Sequence, residues 1–205
     1  MIFVNYKNYE EGTGENAVSL TKILESVAHE TQIKIIPSVQ NVDTESILAS
    51  TSLEVWLQKP EEILPSGISG MFLNHSMYKV ENFDDLYAAH EKAIAANLKT
   101  LIFAADLDEL KKIAALSPTY IAYEPPSLIG STTTSVAQAE PEIISQAVEI
   151  ARSFGLPLVV GAGIHSQEDV RKSLELGAVG VAVATDIVKA EDPRKELLDL
   201  VEGFK

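Results

Sequence analysis

The sequence has no cysteine, little positive charge and no long apolar run. Without cysteine, disulfide bonds and thiolate metal sites are excluded. Lysine and arginine number 16 against 30 aspartates and glutamates, and the resulting net charge of −14 repels nucleic acid phosphates and anionic membranes. No apolar run approaches the roughly 18 residues that a membrane-spanning helix needs. We therefore expect no nucleic acid partner, no membrane partner and a cytoplasmic location.

The length and the hydrophobic content set the scale of the fold. The 205 residues suffice for one domain with a sizeable buried core and are few for two. Hydrophobic residues make up 46% and charged residues 22%, a balance that favours a folded chain over a disordered one. The sequence shows no linker and no internal repeat. We expect a single domain over residues 1–205.

Short apolar runs alternate along the chain with amphipathic stretches. Most of the runs lack an alternation of polar and apolar residues, which is typical of parallel strands buried on both faces. The predicted strands are Ile2–Asn5, Ile33–Ile36, Leu53–Leu57, Met71–Asn74, Thr100–Phe103, Tyr120–Tyr123, Leu158–Val160 and Val179–Val183. The predicted helices are Glu15–Ala28, Thr44–Ser50, Phe83–Ala96, Leu107–Leu116, Pro141–Phe154, Gln167–Leu176 and Pro193–Glu202.

Eight strands with helices between them indicate an α/β fold, a (β/α)₈ barrel. One helix is missing from the pattern. Gln58–Gly70, between the third and fourth strands, holds two prolines and two glycines and has little helical periodicity. We therefore expect a barrel that lacks its third outer helix.

Polar residues at the C-terminal ends of barrel strands face the active site. Four such segments are Val4-Asn5-Tyr6-Lys7, Leu73-Asn74-His75-Ser76, Tyr123-Glu124-Pro125-Pro126 with Leu128-Ile129-Gly130, and Gly161-Ala162-Gly163-Ile164. In this order they resemble the triosephosphate isomerase family, particularly its short, archaeal-type branch, and they spread over nearly the whole chain. A single segment is weak evidence, whereas four in order at strand ends are strong evidence.

The resemblance implies an aldose-ketose isomerase of glycolysis and gluconeogenesis that needs no cofactor and no metal. It implies that Glu124 is the base that moves a proton between adjacent carbons, and that His75 is the neutral group that polarises the carbonyl; these are the family's own roles for its glutamate and histidine. Lys7 would supply positive charge, and Asn5 would hold Lys7 in place. The run Pro125–Thr134 would be a lid.

The resemblance also implies a site for the phosphate of a triose phosphate substrate. The expected donors are backbone N–H groups of Gly130, of Gly163 and of the turn after the last strand, where Thr185 and Asp186 stand. Gly-Ala-Gly turns occur in other phosphate-binding barrels, so this feature alone indicates only a ligand class. His165 follows the Gly163 turn; a contact with the phosphate is one interpretation, and a residue that flanks a helix is the one we favour.

Three positions depart from the family's pattern. Met77 stands where the family has an acidic residue next to the histidine and serine, and this alters the electrostatics around Lys7. Asp186 stands in a turn that is usually small and glycine-containing; it would weaken phosphate binding if it pointed inward. The lid continues as Ser131-Thr132-Thr133-Thr134, where another glycine is usual, so lid closure is expected to differ.

Three functional hypotheses follow. The first is interconversion of dihydroxyacetone phosphate and D-glyceraldehyde 3-phosphate. The second is a catalytically degenerate barrel that binds a phosphorylated metabolite or a protein partner, and the third is another phosphate-binding sugar isomerase. The trimmed segment Gln58–Gly70 bears on assembly, because an uncovered barrel strand would leave an apolar patch. It favours a homo-oligomer over a monomer.

Overall fold

The computed structural model describes residues 1–131 and 134–205. Eight parallel strands close into a barrel in sequence order, with the last strand paired to the first. The predicted (β/α)₈ barrel is confirmed. The strands are β1 (Ile2–Asn5), β2 (Ile35–Val39), β3 (Trp56–Leu57), β4 (Gly70–Leu73), β5 (Lys99–Ala104), β6 (Tyr120–Tyr123), β7 (Leu158–Gly161) and β8 (Gly180–Val183).

Helices follow most of the strands, and several begin at a residue whose side chain caps the helix. Ser166 forms a capping box with Asp169, and the Asp192 side chain accepts from the Lys195 N–H group. Among the described residues, no helix is both long and apolar enough to cross a membrane. The helices are α1 (Gly14–Thr31), α2 (Thr44–Leu48), α3 (Phe83–Ala95), α4 (Leu107–Ala114), α5 (Val136–Ala139), α6 (Pro141–Ser153), α7 (Gln167–Glu175), α8 (Thr185–Val188) and α9 (Pro193–Glu202).

Hydrophobic side chains form two layers, one between the strands and the helices and one inside the barrel. Aromatic rings dominate the inner layer: Phe3 contacts Trp56 and Phe72 edge to face. Gly70 makes room for this packing, because a Cβ atom there would lie 2.6 Å from the indole ring. The inner layer consists of Phe3, Ile36, Trp56, Phe72, Leu101, Phe103, Ala122 and Val159. It closes the barrel below the strand ends.

The second and third strands begin later than the sequence suggests. Pro37 lies inside β2, although proline cannot donate to a sheet. The Lys34 and Ser38 carbonyls accept from β1, so the intervening proline directs its nitrogen towards β3. β3 pairs only from Ser38 onward, so that donor is not needed there. Because Pro37 has no N–H group to donate to β3, β3 is limited to the two residues that pair beyond it.

The segment 58–69 contains no helix, which confirms that the third outer helix is missing. It nevertheless covers the barrel wall: Leu57 and Met71, which face outward in β3 and β4, are buried. Lys92 on α3 holds the segment by donating to the carbonyls of Glu61 and Glu62 at 2.9 and 2.7 Å. The expected uncovered strand is therefore absent from this part of the structure, because an irregular loop takes the helix's place.

Candidate active site

Side chains from alternate strand positions enter the mouth of the barrel. Phe3 and Ala122 belong to the inner core, so Asn5 and Glu124, two residues further along, have the same orientation. Both line a pocket at the C-terminal ends of the strands. All eight residues that the sequence singles out border this one pocket: Asn5, Lys7, His75, Glu124, Gly130, Gly163, Thr185 and Asp186.

His75 reaches the pocket through a break in the alternation of β4. Phe72 faces the interior, so an unbroken strand would turn Asn74 inward. Instead Asn74 adopts a φ of 57°, a left-handed conformation that asparagine tolerates better than most residues. Its side chain donates to the Phe103 carbonyl at 2.8 Å and to Glu109 at 2.9 Å, away from the pocket. The break therefore presents the following imidazole to the pocket.

The His75 ring is held in its neutral form. Burial, together with the nearby positive charge of Lys7, lowers the pKa of His75 to about 3. Its Nδ1 atom accepts from the Met77 N–H group at 3.2 Å, so the single proton of the neutral ring belongs on Nε2. With that tautomer, the Asn5 amide nitrogen 3.3 Å from Nε2 is a packing neighbour. The proton on Nε2 is available to a ligand oxygen.

Glu124 faces His75 across the pocket, with Oε2 lying 3.6 Å from Nε2. Burial raises the pKa of the Glu124 carboxyl. Lys7 opposes this rise, as do the Ser76 hydroxyl and N–H group, which donate to the carboxylate. Gly161 leaves room for the carboxylate, since a Cβ atom there would lie 3.4 Å from Oε1. The site therefore contains a carboxyl made more basic beside an imidazole that stays neutral.

Lys7 lies beyond the end of β1 in a left-handed conformation with a φ of 50°. The Asn5 side chain stabilises this turn, because its Oδ1 atom accepts from the Lys7 N–H group at 3.0 Å. No carboxylate among the described residues forms an ion pair with Lys7. Met77, at the position of the family's acid, is 40% exposed and offers no charge. The charge of Lys7 is therefore directed towards the pocket, where it acts on both Glu124 and His75.

The opposite end of the pocket is formed by backbone turns. Gly130 and Gly163 have φ values of 74° and 67°, which glycine adopts without strain. A Cβ atom on Gly163 would overlap the Thr134 carbonyl oxygen, so the turn after β7 packs directly against the end of the lid segment 125–134. The Val136 N–H group completes this contact by donating to the Ala162 carbonyl at 3.1 Å. Within the lid segment, Thr132 and Thr133 lie outside the described residues.

The turn after β8 is the start of the short helix α8, which the sequence did not predict. The Thr185 hydroxyl is 3.0 Å from the Tyr9 hydroxyl and connects this turn to the loop after β1. That contact orients the Thr185 side chain at the edge of the pocket.

Asp186 points into the pocket mouth, and it has a partner that the sequence reading missed. Its Oδ1 atom lies 2.8 Å from Nδ1 of His165, and both side chains line the pocket. The prediction that His165 merely flanks a helix is incomplete, because the ring turns back from the loop after β7 towards α8. The only signal in the sequence was that each residue follows a strand end, at the turns after β7 and β8.

A buried carboxylate organises the loop that carries His165. Oδ2 of Asp169 accepts from the N–H groups of His165 and Ser166, each at 3.1 Å, and from the Ser166 hydroxyl at 2.9 Å. Its Oδ1 atom accepts from Gln138 on α5 at 2.7 Å. The loop after β7 and the segment that follows the lid are therefore held to one side chain.

The donor set of the pocket is suited to an anion. Among residues 1–131 and 134–205, no group of three or more histidine, aspartate or glutamate side chains could hold a metal ion. The described pocket combines one lysine, the neutral His75 imidazole, the Glu124 carboxyl with its raised pKa, two glycine turns and the His165–Asp186 pair. This arrangement is typical of a barrel that performs proton transfer on a small phosphorylated compound.

Comparisons with solved structures support the architecture. The chain superposes on N-acetylmannosamine-6-phosphate 2-epimerase from Clostridium perfringens with a TM-score of 0.69, covering 97% of this chain and 92% of that one. The sequences are 13% identical, so this likeness concerns the fold. It defines the class as a (β/α)₈-barrel protein.

Comparisons of sequence identify the family. The triosephosphate isomerase family matches residues 83–204. The chain is 34% identical to the triosephosphate isomerase of Methanopyrus kandleri, covering all of this chain and 97% of that protein. It is 37% identical to that of Metallosphaera sedula, over 99% and 95% of the two chains. The chain belongs to the triosephosphate isomerase family, as its strand-end segments predict.

Proposed function

We propose that the chain interconverts dihydroxyacetone phosphate and D-glyceraldehyde 3-phosphate at the mouth of its barrel, with Glu124, His75 and Lys7 as the catalytic residues. The relatives that align with this chain over nearly their whole length are named for this activity. The observation that supports the residue roles is the Glu124–His75 pair. The two side chains lie 3.6 Å apart, and burial makes the carboxyl more basic while keeping the imidazole neutral.

Proton transfer would begin at Glu124. The carboxylate removes a proton from the carbon next to the carbonyl, the electrons of that C–H bond form a carbon–carbon double bond, and the carbonyl electron pair moves to oxygen. Nε2–H of His75 donates to that oxygen and stabilises the enediolate. Glu124 then returns its proton to the former carbonyl carbon. As the new carbonyl forms, the proton of the neighbouring hydroxyl is transferred to the former carbonyl oxygen by way of Nε2 of His75, so that no proton is gained or lost overall. A neutral imidazole suits this role, because its proton is shared without an added charge in the resting site.

Lys7 and the lid segment would lower the free energy of the enediolate intermediate. The Lys7 ammonium supplies positive charge in a chain whose net charge is −14. Glu124 must exchange its Ser76 contacts for the substrate carbon. Closure of the lid over Glu124 would exclude water and raise its basicity further.

The substrate phosphate would bind at the end of the pocket formed by Gly130, Gly163 and the turn of Thr185 and Asp186. The two glycines allow the backbone N–H groups to approach an anion closely. The contact of the Thr185 hydroxyl with Tyr9 at 3.0 Å fixes the position of this turn beside the pocket.

A coupled assay that follows glyceraldehyde 3-phosphate oxidation tests the proposal. We expect turnover by the wild-type protein and a loss of about 10²–10⁴-fold in kcat for Glu124→Gln, since the amide has no basic oxygen to accept a proton and a general base contributes about this much. Glu149→Gln is the matched control, because Glu149 is exposed on the outer helix α6. Absence of turnover with retained phosphate binding would instead favour the degenerate barrel.

Two further expectations accompany this function. A cytoplasmic location and assembly into a homo-oligomer are predictions from the sequence. The covered wall of β3 and β4 weakens the argument for assembly, since Leu57 and Met71 are already buried within one chain. Size-exclusion chromatography with light scattering, over a range of concentrations, measures the oligomeric state directly.

A further inference from the structure

We propose that His165 is a positioning residue that draws the Asp186 carboxylate aside and offsets its charge, so that a substrate phosphate can bind in a pocket that carries a carboxylate. The inference rests on the proposed function, since it concerns the phosphate end of that pocket. The two residues come from different loops, after β7 and after β8, and they meet through Nδ1 and Oδ1 at 2.8 Å.

Asp186 creates the electrostatic problem. Its side chain is 37% exposed and borders the same pocket as Gly130 and Gly163. A phosphate ester carries between one and two negative charges near neutral pH, and a like charge nearby disfavours it. A carboxylate in this turn would therefore repel the substrate unless another group compensates.

His165 is placed to compensate. The Nδ1–H group, donated to Oδ1, fixes the orientation of the carboxylate towards the loop after β7, and this hydrogen bond stabilises the carboxylate's charge. The His165 backbone is held by Asp169, which accepts its N–H group at 3.1 Å. The ring therefore has a fixed base from which to hold the carboxylate.

The surroundings of Nε2, the other ring nitrogen of His165, indicate that the contact between Nδ1 and Asp186 determines the position of the His165 side chain. Nε2 of His165 is buried, and it has no hydrogen-bond partner among the described residues. Leaving a buried polar atom unpaired is costly, so the ring would turn away unless the contact of Nδ1 with Asp186 stabilised it. A role in which Nε2 itself binds the phosphate is the main competing explanation.

A set of four variants separates these explanations. His165→Ala leaves Asp186 uncompensated, and we expect KM for the triose phosphate and Ki for inorganic phosphate to rise about tenfold, with kcat within about threefold. His165→Asn places an amide N–H near the position of Nδ1 and should recover most of the loss. Asp186→Gly alone should give a KM equal to or below the wild-type value, since it removes the repelling charge. Asp186→Gly combined with His165→Ala should restore KM to near the wild-type value.

The outcome for the double variant decides the matter. If His165→Ala/Asp186→Gly keeps the whole KM defect, His165 contacts the phosphate itself and the proposal is wrong. A His165→Ala variant with wild-type KM would also overturn it. Thermal melting checks that each variant is folded, and if His165→Ala fails to fold, His165→Asn and the Asp186→Gly background still give the comparison.

Failure of the proposed function would look different. Calorimetric titration with inorganic phosphate measures the effect of His165 without turnover. If the wild-type protein binds phosphate but shows no isomerase activity, the function fails while the ranking of the four variants still tests the role of His165. Glu149→Gln again provides the reference for an unrelated surface change.

Discussion

Replacing Gly163 with alanine tests whether the turn after β7 packs so closely against the end of the lid segment that no side chain fits between them. Gly163 has a φ of 67°, and a Cβ atom there would overlap the Thr134 carbonyl oxygen and lie 3.1 Å from Cα of Ser135. Gly155→Ala is a matched control. Gly155 has a φ of 72°, but a Cβ atom there would meet nothing within 4 Å.

Both substitutions place alanine in a left-handed backbone conformation, and only Gly163→Ala also creates a steric overlap. A left-handed conformation costs an L-residue about 1–2 kcal/mol, and loss of glycine freedom in the unfolded chain returns about 0.4–1 kcal/mol. We therefore expect Gly155→Ala to lower the free energy of unfolding by about 0–1.6 kcal/mol. Overlap with Thr134 should add about 1–3 kcal/mol for Gly163→Ala, as overpacking does elsewhere.

The activity should diverge more than the stability. Relief of the overlap moves the end of the lid away from the phosphate turn, and a displacement of about 1 Å in a positioning element can cost about a hundredfold in rate. Urea denaturation gives the free energies, and the coupled assay gives kcat/KM. The reasoning is refuted if Gly163→Ala matches Gly155→Ala in both measurements.

Two further predictions concern protonation. The pKa of His75 is about 3 in the folded protein, against about 6.5 in the unfolded chain. Between these two pH values the unfolded chain binds a proton that the folded protein does not bind. The free energy of unfolding therefore decreases as pH falls from about 6.5 towards 3. His75→Gln should remove about 3 kcal/mol of this loss between pH 7 and pH 4, measured by urea denaturation, and equal pH slopes for the two proteins would contradict it. Burial raises the pKa of Glu124, so its ionised form is disfavoured in the fold at neutral pH. Glu124→Gln should consequently unfold at a higher urea concentration than the wild-type protein at pH 7, and a lower midpoint would show that Ser76 and Lys7 outweigh burial.

The third-strand region shows where local patterns mislead. The run Leu53–Leu57 has the composition of a strand, yet only Trp56 and Leu57 pair. The reason is Pro37 on the neighbouring strand, which removes a donor that the earlier residues would need. Composition describes a residue's own preference, whereas pairing depends on a partner that is distant along the chain.

His75 and His165 show the same division at the site. The sequence places His75 at a strand end, but its entry into the pocket depends on the left-handed Asn74 and on anchors from β5 and α4. His165 gave no signal beyond its place after a strand end, because its partner Asp186 is contributed by a different βα loop. Burial, which lowers the pKa of His75 and raises that of Glu124, likewise comes from the assembled barrel.

The sequence by itself determined the alternation of strands and helices, the loss of the third outer helix, the family and the eight residues that border the pocket. These follow from local periodicity and from the rule that strand ends face one side of a barrel. Only the tertiary structure decided the protonation state of His75, the orientation of Asp186 and the partnership of His165. Such properties depend on desolvation and on contacts between loops, and both arise only when the barrel has closed.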